Sequence, residues 1–145
     1  MWGESTNMIN DIRILQGAQA LNELQKRQLM PRGEIGALLE SLKGEEGLAI
    51  AETVKKVWQT FEGMPSPYTT QDEKDPTAHL HYYLNGWDWW IIEKDIEEQE
   101  QVFGFVKSDL CPEGELGYIS LPEITQAGAE LELYFTPAPV STFKA

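Results

Sequence analysis

The chain reads as an α+β protein: a helical N-terminal segment, then an antiparallel sheet of four or five strands with one short late helix. Three observations predict this. Apolar residues recur at spacings of three and four through residue 62. From residue 63 onward the period falls to two. An Asn85-Gly86 pair then separates two of the alternating runs, and a two-residue hairpin turn needs residues that tolerate positive φ.

The helices come first. "MINDIRILQGAQALNELQKRQLM" places Ile14, Ala18, Leu21 and Leu24 on one face, with Asn7 or Asn10 as the cap. Pro31 and Gly33 break the pattern. "EIGALLESLKG" sets Ile35, Leu38, Leu39 and Leu42 at helical spacing, and Gly44 ends it. "EGLAIAETVKKVWQTFEG" repeats the pattern with Ile50, Val54, Val57, Trp58 and Phe61 before Gly63 and Pro65 stop it. These runs make residues 1–63 a helical segment of about three helices. "PSPYTTQDEKDP", residues 65–76, follows as a proline-rich polar loop, either between two domains or within one.

Residues 64–145 form the sheet region. "AHLHYYL" is the first strand and "WDWWIIE" the returning one. "KDIEEQEQ" is a charged connection, "VFGFVK" a third strand and "LGYIS" a fourth. In "SLPEITQAG", Ser120 can cap a short helix, Pro122 suits its first turn, Glu123 can close a capping box and Gly128 ends it. "LELYF" is the last strand candidate, and the prolines of "TPAPVSTFKA" favour an extended path.

Charge narrows the partner. The chain carries a formal net charge of -13. Residues 1–62 hold seven Lys/Arg against nine Asp/Glu, and residues 63–145 hold four lysines against fifteen Asp/Glu, so most of the excess lies in the sheet region. Such a surface repels nucleic-acid phosphates and attracts a basic protein surface, which disfavours direct DNA or RNA binding. Three short helices also suggest a DNA-reading unit. Their only tight basic pairs are Lys26-Arg27 and Lys55-Lys56, a weaker footprint than a reading helix needs, so a plain packing bundle is expected. The single Cys111 excludes an intrachain disulfide framework. No run approaches the roughly 20 apolar residues of a membrane span, and the N-terminus lacks a secretory pattern, which makes the cytoplasm the expected location. The phosphate-cradling, dinucleotide, nucleophile-elbow and HExxH signatures are all absent. No catalytic residue, metal or cofactor is assigned.

The tryptophans pose the functional question. A two-residue turn at Asn85-Gly86 pairs Leu84 with Trp87, Tyr83 with Asp88, Tyr82 with Trp89, His81 with Trp90, Leu80 with Ile91 and His79 with Ile92. One hairpin face then carries Leu80, Tyr82, Leu84, Trp87, Trp89 and Ile91, and is expected to be core. The other carries His79, His81, Tyr83, Asp88, Trp90 and Ile92. Here Trp90 is the candidate surface residue, and flat rings beside polar groups can recognise a small molecule or a peptide. Alternatively, the N-terminal helices cover this face as a second core layer. His79, His81 and Asp88 could begin a metal site, but nothing in the sequence completes it. Glu93, Asp95, Glu97, Glu98 and Glu100 form an acidic run that is either a solvated loop guarding a sheet edge or a negative comb for a basic partner.

Four blocks carry a family resemblance over residues 64–143. "WDWWIIEKD" is similar to a W-x-W-Y-x-x-E-x-D pattern through Trp87, Trp89, Glu93 and Asp95, with Trp90 at the Tyr position. "VFGFV" matches F-G-x-V, "ELGYISLPEI" matches E-L-G-Y-F-S-L-x-E-L, and "LYFTPAPVS" matches L-x-F-x-P-x-P-L. In this order and spacing they resemble domain-of-unknown-function family 2958, small bacterial proteins associated with plasmids and phages. Ile119 replaces an aromatic of that pattern, the stretch between "LPEI" and "LYF" is shorter, and the helical first half lies outside it. The resemblance implies cargo of a mobile genetic element, sometimes found within anti-defence proteins, and brings no catalytic residue. The expectation is a non-catalytic interaction protein that binds a host or phage protein. The oligomeric state is left open.

Overall fold

The computed structural model describes residues 2–94 and 101–144, with side chains from residue 8 onward. Three helices lead: α1 (Trp2–Lys26), α2 (Arg32–Ser41) and α3 (Gly47–Gly63). The first begins well before the expected asparagine caps, so Asn7 and Asn10 sit inside it. Its packing against α3 requires a small residue: a Cβ on Gly17 would stand 2.6 Å from the Cβ of Ala51. The predicted apolar face is buried at Leu21, Leu24, Ile35, Leu38, Leu42, Val54, Val57 and Phe61, whereas Leu39 turns outward.

The sheet region begins with β1 (Thr77–Ala78), β2 (Leu80–Leu84) and β3 (Trp87–Glu93), and continues with β4 (Gln101–Ser108) and β5 (Cys111–Ser120). After α4 (Leu121–Gln126) come β6 (Glu130–Leu131), β7 (Ala138–Pro139) and a 3-10 turn at Val140–Phe143. Five strands form one antiparallel sheet in the order β5-β4-β3-β2-β6, and β1 pairs with β7 beside it. The β2–β3 register is the expected one from Leu84↔Trp87 to Leu80↔Ile91. Asn85 and Gly86 both take positive φ, 44° and 84°, which a two-residue turn with this twist needs. Ser120 accepts a hydrogen bond from the Glu123 backbone N–H and starts α4 as a helix cap.

Two expectations are corrected here. "LELYF" does not form a five-residue strand, because pairing stops at Leu131 after two residues. The chain then leaves the sheet edge and carries the tail across the sheet's other face. The fourth strand starts earlier than "LGYIS", at Cys111, after a tight turn that follows β4.

The sheet has two covers. The helical layer buries Leu80, Tyr82, Trp89, Ile91, Val102 and Ile119 in a core that is continuous with α1, α2 and α3. The Tyr82 hydroxyl donates to the Leu29 carbonyl in the α1–α2 loop, and Thr125 donates to the neighbouring Gln28 carbonyl. Helices and sheet therefore share one interior. On the opposite face Ala78, Trp90, Ile92, Phe105 and Val140 form a smaller core, flanked by Phe103, Phe135 and Phe143. The C-terminal tail covers this face, and the helices do not.

Candidate functional site

The ring-bearing face of the hairpin is an internal clasp. Trp90 is 7% exposed, so it is not the surface residue the alternation suggested. Its indole is stacked on the Phe143 ring on one side (centroids 5.0 Å apart) and on the His81 imidazole (5.0 Å). The surface exchange runs the other way on the helix-facing side. There Trp87, expected in the core, is 39% exposed at the hairpin end, where it stacks on Trp89.

His81 sits at the centre of the clasp. Its Nε2 lies 2.7 Å from Asp88 Oδ1 and its Nδ1 lies 2.6 Å from Glu132 Oε2. A carboxylate can only accept, so both contacts are hydrogen bonds when each ring nitrogen carries a proton. The two carboxylates come from β3 and from the residue just after β6, and the imidazole between them ties the tail segment to the hairpin. Tyr83 stacks against the other flank of His81 and is largely exposed. The neighbouring Glu130 carboxylate raises the phenol's pKa.

Four further hydrogen bonds fasten the same tail. Asp75 accepts hydrogen bonds from the Ser141 backbone N–H (2.9 Å) and hydroxyl (2.6 Å), which lowers its carboxyl pKa and caps the 3-10 turn. The Val140 N–H donates to the Pro76 carbonyl. Lys107 Nζ donates to the Phe143 carbonyl at 3.1 Å.

His79 stands apart from this arrangement. It lines a groove of about 290 Å³ between α3 and residues 132–137, opposite Glu52 and Lys56. Burial lowers its pKa and Glu73 opposes that shift, so the imidazole is held toward its neutral form. The groove borders the clasp through Glu132 and Phe135. Among the described residues no trio of His, Cys, Asp or Glu side chains is placed to hold a metal.

The acidic run divides at Glu93. This side chain is 3% exposed and faces inward, so it is not a tooth of a surface comb. One carboxylate oxygen accepts from the Tyr68 N–H at 2.8 Å, and the other accepts from the Thr70 N–H at 2.9 Å and from the Thr70 hydroxyl. Glu93 thus pins the proline-rich loop of residues 65–76 to β3. Asp95, Glu97 and Glu98 lie outside the described residues.

Another carboxylate, missed by the sequence reading, guards a sheet edge. Glu34 on α2 accepts a hydrogen bond from the Leu131 N–H at 3.1 Å. Burial pushes its pKa up to about 7; the Leu131 N–H works against this shift and Glu130 adds to it. Its signal in the sequence is only an exposed-type glutamate in a first helical turn, which is ordinary for the helix dipole.

The fold and the site define an α+β protein in which His81, Asp88, Glu93 and Glu132 are spent on internal fastening. No family model, no curated protein and no solved structure matches the chain. Among the described residues no helix is long and apolar enough to cross a membrane.

Proposed function

We propose that this chain is a non-catalytic, acidic interaction protein that engages a protein partner through a basic surface on that partner. The observation that carries the reading is the charge asymmetry. The sheet region holds fifteen acidic residues against four lysines, while the helical region is nearly balanced. An excess of one charge sign in one region of the chain favours encounter with a basic surface and disfavours nucleic acid. The resemblance of residues 64–143 to domain-of-unknown-function family 2958 adds a setting, cargo of a mobile genetic element acting on a host or phage protein. In its sharpest form the partner is a nucleic-acid-handling or defence protein whose basic channel the acidic surface fills.

The competing reading, a small-molecule or peptide module on the His/Tyr/Trp face, needs exposed rings. Burial of Trp90 and the carboxylates on both nitrogens of His81 work against it, and the His79 groove, the outer side of Tyr83 and an open hollow beside Asp88 are what this face offers among the described residues. A pull-down from the native host's lysate, at low and at high salt, tests the leading reading. A stoichiometric partner released by high salt is the expected result, because exposed charges more than about 10 Å apart are screened at 0.1 M salt. A partner held equally at both salts would overturn it.

A further inference from the structure

The two edges of the five-stranded sheet are treated differently. At one edge β6 is two residues long and the Leu131 N–H is occupied by Glu34. At the other edge β5 is ten residues long, and among the described residues no strand pairs with its outer side. Its ladder with β4 is regular from Val106↔Glu115 to Gln101↔Ser120 and shifts beyond Val106. Pro112 and the positive-φ Gly114 occupy the shifted end. The regular stretch, residues 115–120, therefore turns alternate backbone N–H and C=O groups outward, ready for another strand.

The side chains along this stretch have a two-sided chemistry. Leu116 and Tyr118 are 52% and 56% exposed and lie on the tail-covered face, opposite Phe105 and Phe103. Tyr118 meets the Phe103 ring edge-on at 5.6 Å, and Tyr68 is likewise exposed. On the helix-facing side of the same strand, Glu115 is exposed and Gly117 leaves open space, since a Cβ there would meet no atom within 4 Å. A long cationic side chain from an added strand can lie over Gly117 and reach Glu115, with Glu113 just beyond.

We propose that the outer edge of β5 accepts one extended strand from a basic partner, with apolar residues alternating with Lys or Arg. The apolar residues would stack beside Leu116 and Tyr118, and the cations would face Glu115 across Gly117. This inference rests on the acidic interaction reading and names its surface and the partner's local chemistry. A second copy of the chain fits the edge poorly. A second copy brings the same acidic residues, Glu113 and Glu115, to the edge and no lysine or arginine of the same strand to meet them.

The test uses the full chain and two short synthetic peptides of identical composition. In one, lysine and valine alternate; in the other, they are segregated into two blocks. The alternating peptide is expected to bind about tenfold more tightly, as several added cross-strand pairs would give. It is also expected to slow amide exchange within residues 115–120. Leu116→Lys with Tyr118→Lys should erase the difference between the peptides, and Glu115→Lys alone should weaken the alternating peptide severalfold. Both substitutions fall at exposed positions, and circular dichroism checks that the fold persists. Equal binding of the two peptides, lost equally with salt, would overturn the edge inference and leave the acidic-surface reading standing. Binding of neither peptide at low salt would overturn both. A dimer in sedimentation that the double substitution dissolves would show that the edge belongs to a second copy and would also overturn the inference.

Discussion

The two faces of one β-sheet are covered here by quite different means. On one side three helices bury a largely aliphatic surface, in which Leu21, Leu24, Ile35, Val54 and Ile91 are fully enclosed. On the other side a tail of about ten residues does the same job with rings: Phe135 and Phe143 against Trp90, with His81 stacked between polar anchors. A short segment has few side chains to offer, so each must cover much area and must be held at both ends. Aromatic rings supply the area. Hydrogen bonds accepted by Asp75 and Glu132 and donated by Lys107 supply the holding, and Asp88 steadies His81 from within the hairpin. The aliphatic side rests mainly on burial, with hydrogen bonds from the Tyr82 hydroxyl to Leu29, from the Thr125 hydroxyl to Gln28 and from the Leu131 N–H to Glu34 beside it.

This contrast can be broken in order of expected effect. Phe61→Ala opens a cavity in the helix-side core and should cost about 3–5 kcal/mol of global stability, measured by urea unfolding. Glu93→Gln puts an amide N–H₂ among groups that are themselves donors. It should cost about 1–3 kcal/mol and speed amide exchange at Tyr68 and Thr70 while leaving α1 and α3 protected. Phe143→Ala removes a half-buried ring from the tail side and should cost about 1–2 kcal/mol. Its signature is local: the Val140 amide exchanges faster and acrylamide quenches Trp90, with helix amides unchanged. A global loss of protection from Phe143→Ala would show that the two covers are one cooperative unit.

The smallest effect is on pH dependence. The Glu34 carboxyl is raised in the folded chain from 4.5 to about 7. Between these values the unfolded chain has released this proton and the folded chain keeps it, so stability falls as pH rises through that window. Glu34→Gln keeps an acceptor for the Leu131 N–H and removes the charge, so its stability should vary less between pH 4.5 and 7. Asp75 has the opposite sign. Its pKa is lowered by Ser141, so its contribution is present at neutral pH and lost as the pH falls through the acid range.

What the sequence could reveal follows the range of the interactions involved. The hairpin register was legible because Asn85-Gly86 fixes it locally, and every pair from Leu84↔Trp87 to Leu80↔Ile91 follows from that turn. Alternation also sorted the paired residues Leu80–Leu84 and Trp87–Ile91 into two faces, but the expected His79–Ile92 pair does not form, and His79 lines the groove beside α3. Alternation could not say what lies over each face, since Phe143 is more than fifty positions from Trp90 along the chain. Both alternatives for the second face, an exposed Trp90 or a cover of N-terminal helices, miss the tail for that reason. Trp87 shows the reverse error. It shares the core-facing side with Trp89, but it stands at the turn, beyond the reach of the helical layer. Glu93 looked like one more acid in a charged run, and only the fold brings residues 68–70 onto its two oxygens. The length of β5 was underestimated because Pro112 and Gly114 mask a strand that carries a bulge.

The glutamate at the β6 edge has a consequence for how this molecule can assemble. A sheet grows into a fibre only if each added unit presents a fresh edge to the next. Here one side is a two-residue strand stoppered by a carboxylate, and it faces away from the ten-residue strand at the far side. Whatever joins at β5 therefore meets no second docking edge across the sheet, and edge-to-edge growth terminates after one addition. A polar plug on α2 leaves β5 as the one long unpaired edge of this sheet among the described residues.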